Sequence, residues 1–287
     1  MGGVLWGLVS GLLFGTADFM AARSSKRVGA YTTLWVMQLT GFVLLTVMMI
    51  AFQEWRWIDS GSHVLSASVW MLLDLAGILF LYRGLQVGLT VVVAPVASSF
   101  SAVTAAIALM FGERVSPLVL CGILLTLAGV IGVTLAGSAS AGERNPRVSP
   151  TRGALWAAGA ALLLGVAFYG MRDPALAIGG MATVWIGRLQ ASVLLPLAAF
   201  LAKRRFNRPR GNVWGLLCAV GVLDALAIVC YNVGLREAQT SIVITAASLF
   251  AVFTLLWGVL IAKERPALHQ WGGIALTFIG IAIVSQG

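Results

Sequence analysis

Ten predominantly apolar stretches follow one another along this chain, at 3–21, 31–52, 64–86, 90–111, 117–136, 153–171, 182–202, 213–234, 241–262 and 268–286. Each runs to about 20 residues, enough to cross a hydrocarbon core of roughly 30 Å as a helix. A chain so built folds in lipid, where every backbone polar group must be satisfied inside a helix or a closed barrel. Composition agrees, with 60% apolar and only 10% charged residues, far from the balance of a soluble domain. The expected fold is an all-α membrane protein of ten transmembrane helices, the least marked division falling at Gly88–Thr90. The first stretch has no basic leader and no small-residue cleavage site, so it reads as a retained helix rather than a signal peptide.

The three cysteines, Cys121, Cys218 and Cys230, all lie in apolar stretches and form no paired motif. They indicate neither a disulfide framework nor a zinc site. A net charge of +9 raises the question of nucleic acid, but the basic residues sit in short connections between apolar helices, where membrane topology accounts for them. No cofactor motif appears. The segment 138–152 is rich in Gly, Ser and Pro and divides the chain almost equally, so we read five-helix units at 1–137 and 153–287 joined by a linker.

The halves are copies. Moving the second back by 150 positions lays Gly153, Leu155 and Trp156 on Gly3, Leu5 and Trp6, and Thr183 and Trp185 on Thr33 and Trp35. Gly234–Leu235 fall on Gly84–Leu85, and Ala247, Ser248 and Phe250 on Ala97, Ser98 and Phe100. One inserted residue then pairs Glu264–Arg265 with Glu113–Arg114, and Gly273, Thr277 and Gly280 with Gly122, Thr126 and Gly129. Two greasy helices match Leu with Leu by chance, but not tryptophans, Glu-Arg pairs and small-residue ladders in order.

The duplication includes a charge. Asp74 in "MLLDLAGILFLYRGL" has Asp224 in "GVLDALAIVCYNVGL" as its mate, and each lies about 15 Å of helical rise into its stretch, near the bilayer midplane. An odd number of helices per half requires the copies to insert upside down relative to one another. The basic residues fit that requirement: fourteen of nineteen fall in odd-numbered connections, four in even-numbered ones, and Arg188 lies inside a stretch. Taken literally, the positive-inside rule puts the odd connections in the cytosol and both chain ends outside.

Each half opens with a Trp-Gly or Trp-Ala helix ("LWGLVSGLLFGTADF", "LWAAGAALLLGVAFY") and closes with "GERVSPLVLCGILLTLAGVIGV" or "KERPALHQWGGIALTFIGIAIV". In these segments the chain resembles the EamA family of the drug/metabolite transporter superfamily over nearly its whole length. The Glu that precedes a G-x-x-x-T-x-x-G helix is the most specific part. The resemblance implies a secondary transporter with a central cavity lined by the first four helices of each half, a bacterial cytoplasmic-membrane setting and export of amino acids or other small metabolites. It also implies cytosolic ends, the opposite of what the charges give.

Inverted repeats place a substrate site at their interface near the midplane. A carboxylate there faces the interior, carries a proton or meets a cation, which makes Asp74 and Asp224 the first candidates for substrate binding or proton coupling. Tyr231 shares a helix face with Asp224, as Trp70 does with Asp74; Tyr82 follows Asp74 two turns on. Arg188 has Gln38 as its mate, each three residues after a matched tryptophan, Trp185 and Trp35. Arg188 could grip a substrate carboxylate, neutralise one of the aspartates, or snorkel to the interface. Asp18, whose mate is Phe168, reads as a candidate gate near a helix end. Glu113 and Glu264 read as caps or salt bridges at helix junctions, Arg172–Asp173 as a loop pair, the Gly122/Gly129 and Gly273/Gly280 steps as packing, and Pro95 as a break or kink.

The alternatives are a passive facilitator or channel, and a membrane protein without transport whose aspartates serve only helix packing. An enzyme finds no support: His63 and His269 lie near membrane boundaries, with no metal-ligand spacing or nucleophile constellation. The expected partners are a small-molecule substrate and the bilayer, with the chain a monomer or a homodimer.

Overall fold

The computed structural model describes residues 2–54, 61–87, 96–137, 150–201, 209, 211, 213–262 and 268–284. All regular structure among them is helical: α1 (Gly2–Val28), α2 (Ala30–Phe52), α3 (Gly61–Val87), α4 (Phe100–Met110), α5 (Pro117–Gly137), α6 (Pro150–Gly170), α7 (Arg172–Ala177), α8 (Gly180–Leu201), α9 (Val213–Glu237), α10 (Thr240–Ala247), α11 (Phe250–Ala262) and α12 (Leu268–Val284). Among the described residues seven helical spans are long and apolar enough to cross a membrane, counting α6 with α7 (Leu155–Ala177) and α10 with α11 (Thr240–Ile261) as one each. Three shorter apolar helices, Val96–Met110, Pro117–Gly129 and Trp271–Val284, fall on the fourth, fifth and tenth expected stretches. The chain is an integral membrane protein.

The ends of several helices differ from expectation. α1 continues to Val28 and is separated from α2 by Gly29 alone, whose φ of +88° suits a residue without Cβ. Arg23 and Arg27 therefore ride on the last turns of a helix, their long side chains exposed while the backbone stays helical. The short helix α7 stands where a loop was expected. Pro174 is tolerated there because it falls in the first turn, whose N–H groups have no intrahelical acceptor.

The fourth and ninth expected stretches are each interrupted near the middle, at Ser99 and at Ser248–Leu249. At both places the ladder tightens by one residue, with Ser99 N donating to Val96 O at 3.3 Å and Leu249 N to Ala246 O at 3.3 Å. A serine hydroxyl back-bonds in each, Ser99 Oγ to Val96 O and Ser248 Oγ to Thr245 O, both at 2.6 Å, a habit that bends helices. Pro95 lies outside the described residues.

Packing crosses between the halves. α1 lies against α9 and α11 of the other half, α6 against α3 and α4, α2 against α8, and α5 against α12. Small residues let these helices approach. A Cβ on Gly122 would stand 2.8 Å from Gly280 O, and one on Gly280 would stand 2.7 Å from Gly122 O; Gly129 meets Gly273 and Thr277 as closely. Residue numbers rise along α5 as they fall along α12, so the pair is antiparallel, and the contact 122–280 maps onto 273–129 under the sequence repeat. The same exchange holds elsewhere. Thr104 Oγ1 donates to Gly165 O at 2.9 Å while its mate Thr254 donates to Gly15 O at 3.1 Å. Gly187 receives Met71, and its mate Met37 offers its carbonyl to Gly221, the mate of Met71.

Candidate functional site

Those two glycine–methionine contacts set the site. Gly221 on α9 lets the backbone of α2 come within 2.6 Å of where a Cβ would stand, and one turn on Ala225 lies 3.2 Å from where a Cβ on Gly41 would be. Asp224, between them in sequence, is thereby held against α2 at the level of Gln38. Gly187 on α8 admits Met71 in the same way, which brings Asp74, three residues along α3, toward Arg188.

The charges meet there. Arg188, only 1% exposed, donates through Nη1 to Gln38 Oε1 and through Nη2 to Asp224 Oδ2. Its repeat mate is thus its hydrogen-bond partner. Arg188 Nε is buried without an acceptor among the described residues. Asp74 is 3% exposed and lies in the fields of Arg188 and Asp224, yet no hydrogen bond or ion pair reaches it from the described residues. Of the readings open to Arg188, the structure holds the internal one: the guanidinium neutralises Asp224.

Asp18 belongs to this cluster. Since α1 runs on to Val28, Asp18 sits ten residues before the helix end rather than beside it, deep in the protein and within electrostatic range of Asp224. Its side chain is nonetheless exposed in the structure. The sequence signal for this was weak, because its mate is Phe168 and the repeat argument therefore does not mark it.

The other candidates lie to the side. Tyr231 is fully buried, donates to Phe168 O at 3.0 Å and has its ring 5.0 Å from that of Phe168. It packs in an aromatic cluster with Phe14, Phe100, Phe168 and Phe250, about two turns along α9 from Asp224. Within the cluster the mates Phe100 and Phe250 stack with centroids 5.7 Å apart. Trp185 Nε1 donates to Thr46 Oγ1 at 2.8 Å and Trp35 Nε1 to Ser192 O at 3.4 Å, so both brace α2 against α8. Trp70 bonds Ser66 Oγ at 3.2 Å and lays its ring on Gly170. The side chain of Tyr82 lies outside the described residues.

The end of the bundle where residues 2, 113, 172, 240 and 284 gather carries a second polar group. Glu113 accepts from Thr240 N at 2.7 Å, Ser241 N at 2.9 Å and Ser241 Oγ at 2.7 Å, capping α10 from the other half. Arg172, expected to pair with Asp173, instead lies 3.5 Å from Glu113 Oε1 and donates to Thr240 Oγ1 at 2.9 Å. The capping carboxylate is the better partner because it is already fixed by two backbone donors at a helix N-terminus. Gln239 Nε2 adds a bond to Arg114 O at 3.0 Å. Glu264, the mate of Glu113, lies outside the described residues. Among the described residues no group of three or more His, Cys, Asp or Glu is arranged to hold a metal.

Duplicated apolar helices, packed across the two halves around a buried charge cluster, define a class: helical membrane transporters. The EamA-like transporter family model matches residues 1–135 and 151–286. The chain belongs to that family. A solved crystal structure of a protein is similar over 99% of this chain and 96% of its own, with a TM-score of 0.81 and 19% sequence identity; it shows the shared fold. No curated protein matches the chain.

Proposed function

We propose that this protein is a secondary transporter in a bacterial cytoplasmic membrane that exports amino acids or related small metabolites by alternating access around the Asp74, Asp224, Arg188 and Gln38 cluster. The observation that carries the reading is the convergence of repeat mates. Gln38 and Arg188 bond to one another, and Asp74 and Asp224 approach the same guanidinium, which is how residues near a two-fold axis between inverted repeats are disposed. The antiparallel α5–α12 pair and the exchanged Gly–Met contacts support the same axis. A gate built twice from one sequence around one fixed site is the minimum machinery for alternating access.

The Glu113 cap and the aromatic cluster lie to one side of the charges and the exposed Asp18 to the other, and we read the Asp18 side as the open one. Arg23, Arg27, Arg83 and Arg152 ride on helix ends away from Glu113, and the positive-inside rule applied to them puts that side in the cytosol, as an exporter awaiting cargo would have it. Asp74, buried without a partner, is the group to carry a coupling proton. The test is counterflow in proteoliposomes with a panel of labelled amino acids, amines and nucleosides. Saturable exchange that Asp74→Asn abolishes and an imposed proton gradient drives supports the proposal. Non-saturable flux that survives Asp74→Asn and Asp224→Asn would make the protein a passive facilitator.

A further inference from the structure

The two halves share one plan but are not in the same state. α8 and α9 pack on one another: Arg188 Nη2 donates to Asp224 Oδ2, Asn232 Nδ2 donates to Gly180 O at 3.4 Å, and a Cβ on Gly180 would stand 2.7 Å from that of Asn232. Their repeat mates α2 and α3 make no comparable contact among the described residues. The contacts between halves, in contrast, come in matched pairs, α2 against α9 and α8 against α3. One seam of the repeat is therefore closed and its mate open. Asp74 records the difference. A seam between α2 and α3 like that between α8 and α9 would bring it Gln38, yet it stands 3% exposed with no hydrogen bond from the described residues. The closed seam lies toward the Glu113 end, where α9 leads into the capped helix α10. The mates of Gly180 and Asn232 are Ala30 and Tyr82, so the open seam lies toward the opposite end, beside Gly29 and Arg83.

We infer that Arg188 and Asp224 form a latch that sets the resting orientation of the transporter, and that the chain reverses by exchanging seams. As α8 and α9 part, α2 and α3 close, Asp224 gives up the guanidinium and Asp74 receives the amide of Gln38. The bond between Gln38 and Arg188 joins two mates, so the exchange maps it onto itself and it serves both orientations as a pivot. The guanidinium has donors to spare for this, since Nε carries no acceptor among the described residues. The two latches are unequal. Arg188 holds Asp224 by a bond with charge on both partners, whereas Gln38 offers Asp74 a neutral amide N–H. The described orientation is thus the one favoured at rest, and the residues at 38 and 188 decide it. The inference rests on the transport reading above and goes beyond it, because it names the side chains that set which way the empty protein faces.

The experiment places spin labels on Leu39 with Leu72 across the open seam and, in a second sample, on their mates Leu189 with Val222 across the closed one; Leu39, Leu72 and Leu189 are exposed. The full chain, with Cys121, Cys218 and Cys230 replaced by alanine, goes into proteoliposomes for double electron–electron resonance and for counterflow of the labelled solutes named above. Without solute, the separation between positions 189 and 222 should be the shorter of the two. In Gln38→Arg combined with Arg188→Gln the order should reverse. In Arg188→Gln alone the ratio of the two populations should move by about tenfold or more toward the reversed order, the loss expected for one charged hydrogen bond. If the exchanged variant does not fold, the single variant decides, and unchanged separations in it overturn the inference. An unchanged order in the folded exchanged variant overturns it as well, while counterflow in the same vesicles leaves the transport reading standing. Reversal of the separations without counterflow of any solute supports the latch and removes the transport reading.

Discussion

Asp18 and Phe168 occupy the same register in the two halves, yet one is an exposed acidic side chain and the other a buried ring. Around Phe168 the structure is closed: Phe14, Phe100 and Tyr231 surround it, and Tyr231 bonds its carbonyl. Around Asp18 it is accessible and charged, with Asp224 as neighbour. Duplication supplied two equivalent helices, and this one position differs between them, an apolar ring packed among aromatics in one and an exposed acid in the other. The pair Gln38 and Arg188 diverged in the same sense, from a neutral amide to a cation that holds Asp224. A transporter whose two ends do different work needs its copies to differ at a few places and to agree everywhere that packing depends on them.

The comparison can be broken at its most buried point. Phe168→Asp should remove a ring worth about 3–5 kcal/mol of packing and bury an unpaired carboxylate as well, so the variant is expected to be scarcely recoverable in detergent. The reciprocal Asp18→Phe should melt within a few degrees of the parent and lose exchange. If the two variants behaved alike, the asymmetry would have no bearing on function. Next in size, Arg188→Leu leaves the half-buried Asp224 without its partner and should cost up to about 3 kcal/mol in thermal denaturation. Arg188→Leu combined with Asp224→Asn should recover part of that loss, which would measure how far the ion pair is a stabiliser of the cluster.

Smaller effects sharpen the contrast between the two ends. Glu113→Gln keeps the shape of the cap but removes the charge that two backbone donors and Arg172 share, a loss of about 1.5–3 kcal/mol. That weakening should fall on the closed conformation of that end, so a cysteine placed at Phe168 should become more reactive to a water-soluble thiol reagent. Unchanged labelling would reduce Glu113 to a simple cap. The smallest effect belongs to Trp185→Phe, which loses one hydrogen bond to Thr46 and should cost about 0.5–1.5 kcal/mol with half-saturation of exchange unaltered.

Much of this was legible in the residues themselves. Apolar length determined that the chain lives in lipid as helices, since no other structure satisfies a backbone there, and the offset of 150 marked Asp74 with Asp224 and Gln38 with Arg188 as positions to watch. The small-residue steps Gly122/Gly129 and Gly273/Gly280 also read correctly as packing, because only a missing Cβ allows carbonyls within 3 Å.

Tertiary structure alone decided the rest. Periodicity places Tyr231 on the face of Asp224, but a helix two turns long passes through two environments, and the second is the aromatic cluster. Asp18 entered the site although its mate is a phenylalanine, because proximity across helices has no trace in a one-dimensional repeat. Arg188 had three chemically sound partners until the close approach of α2, α8 and α9 left Asp224 and Gln38 within reach of its fork. Sequence determines which groups must be satisfied in the membrane; which group satisfies which is settled by the distances that helix packing permits.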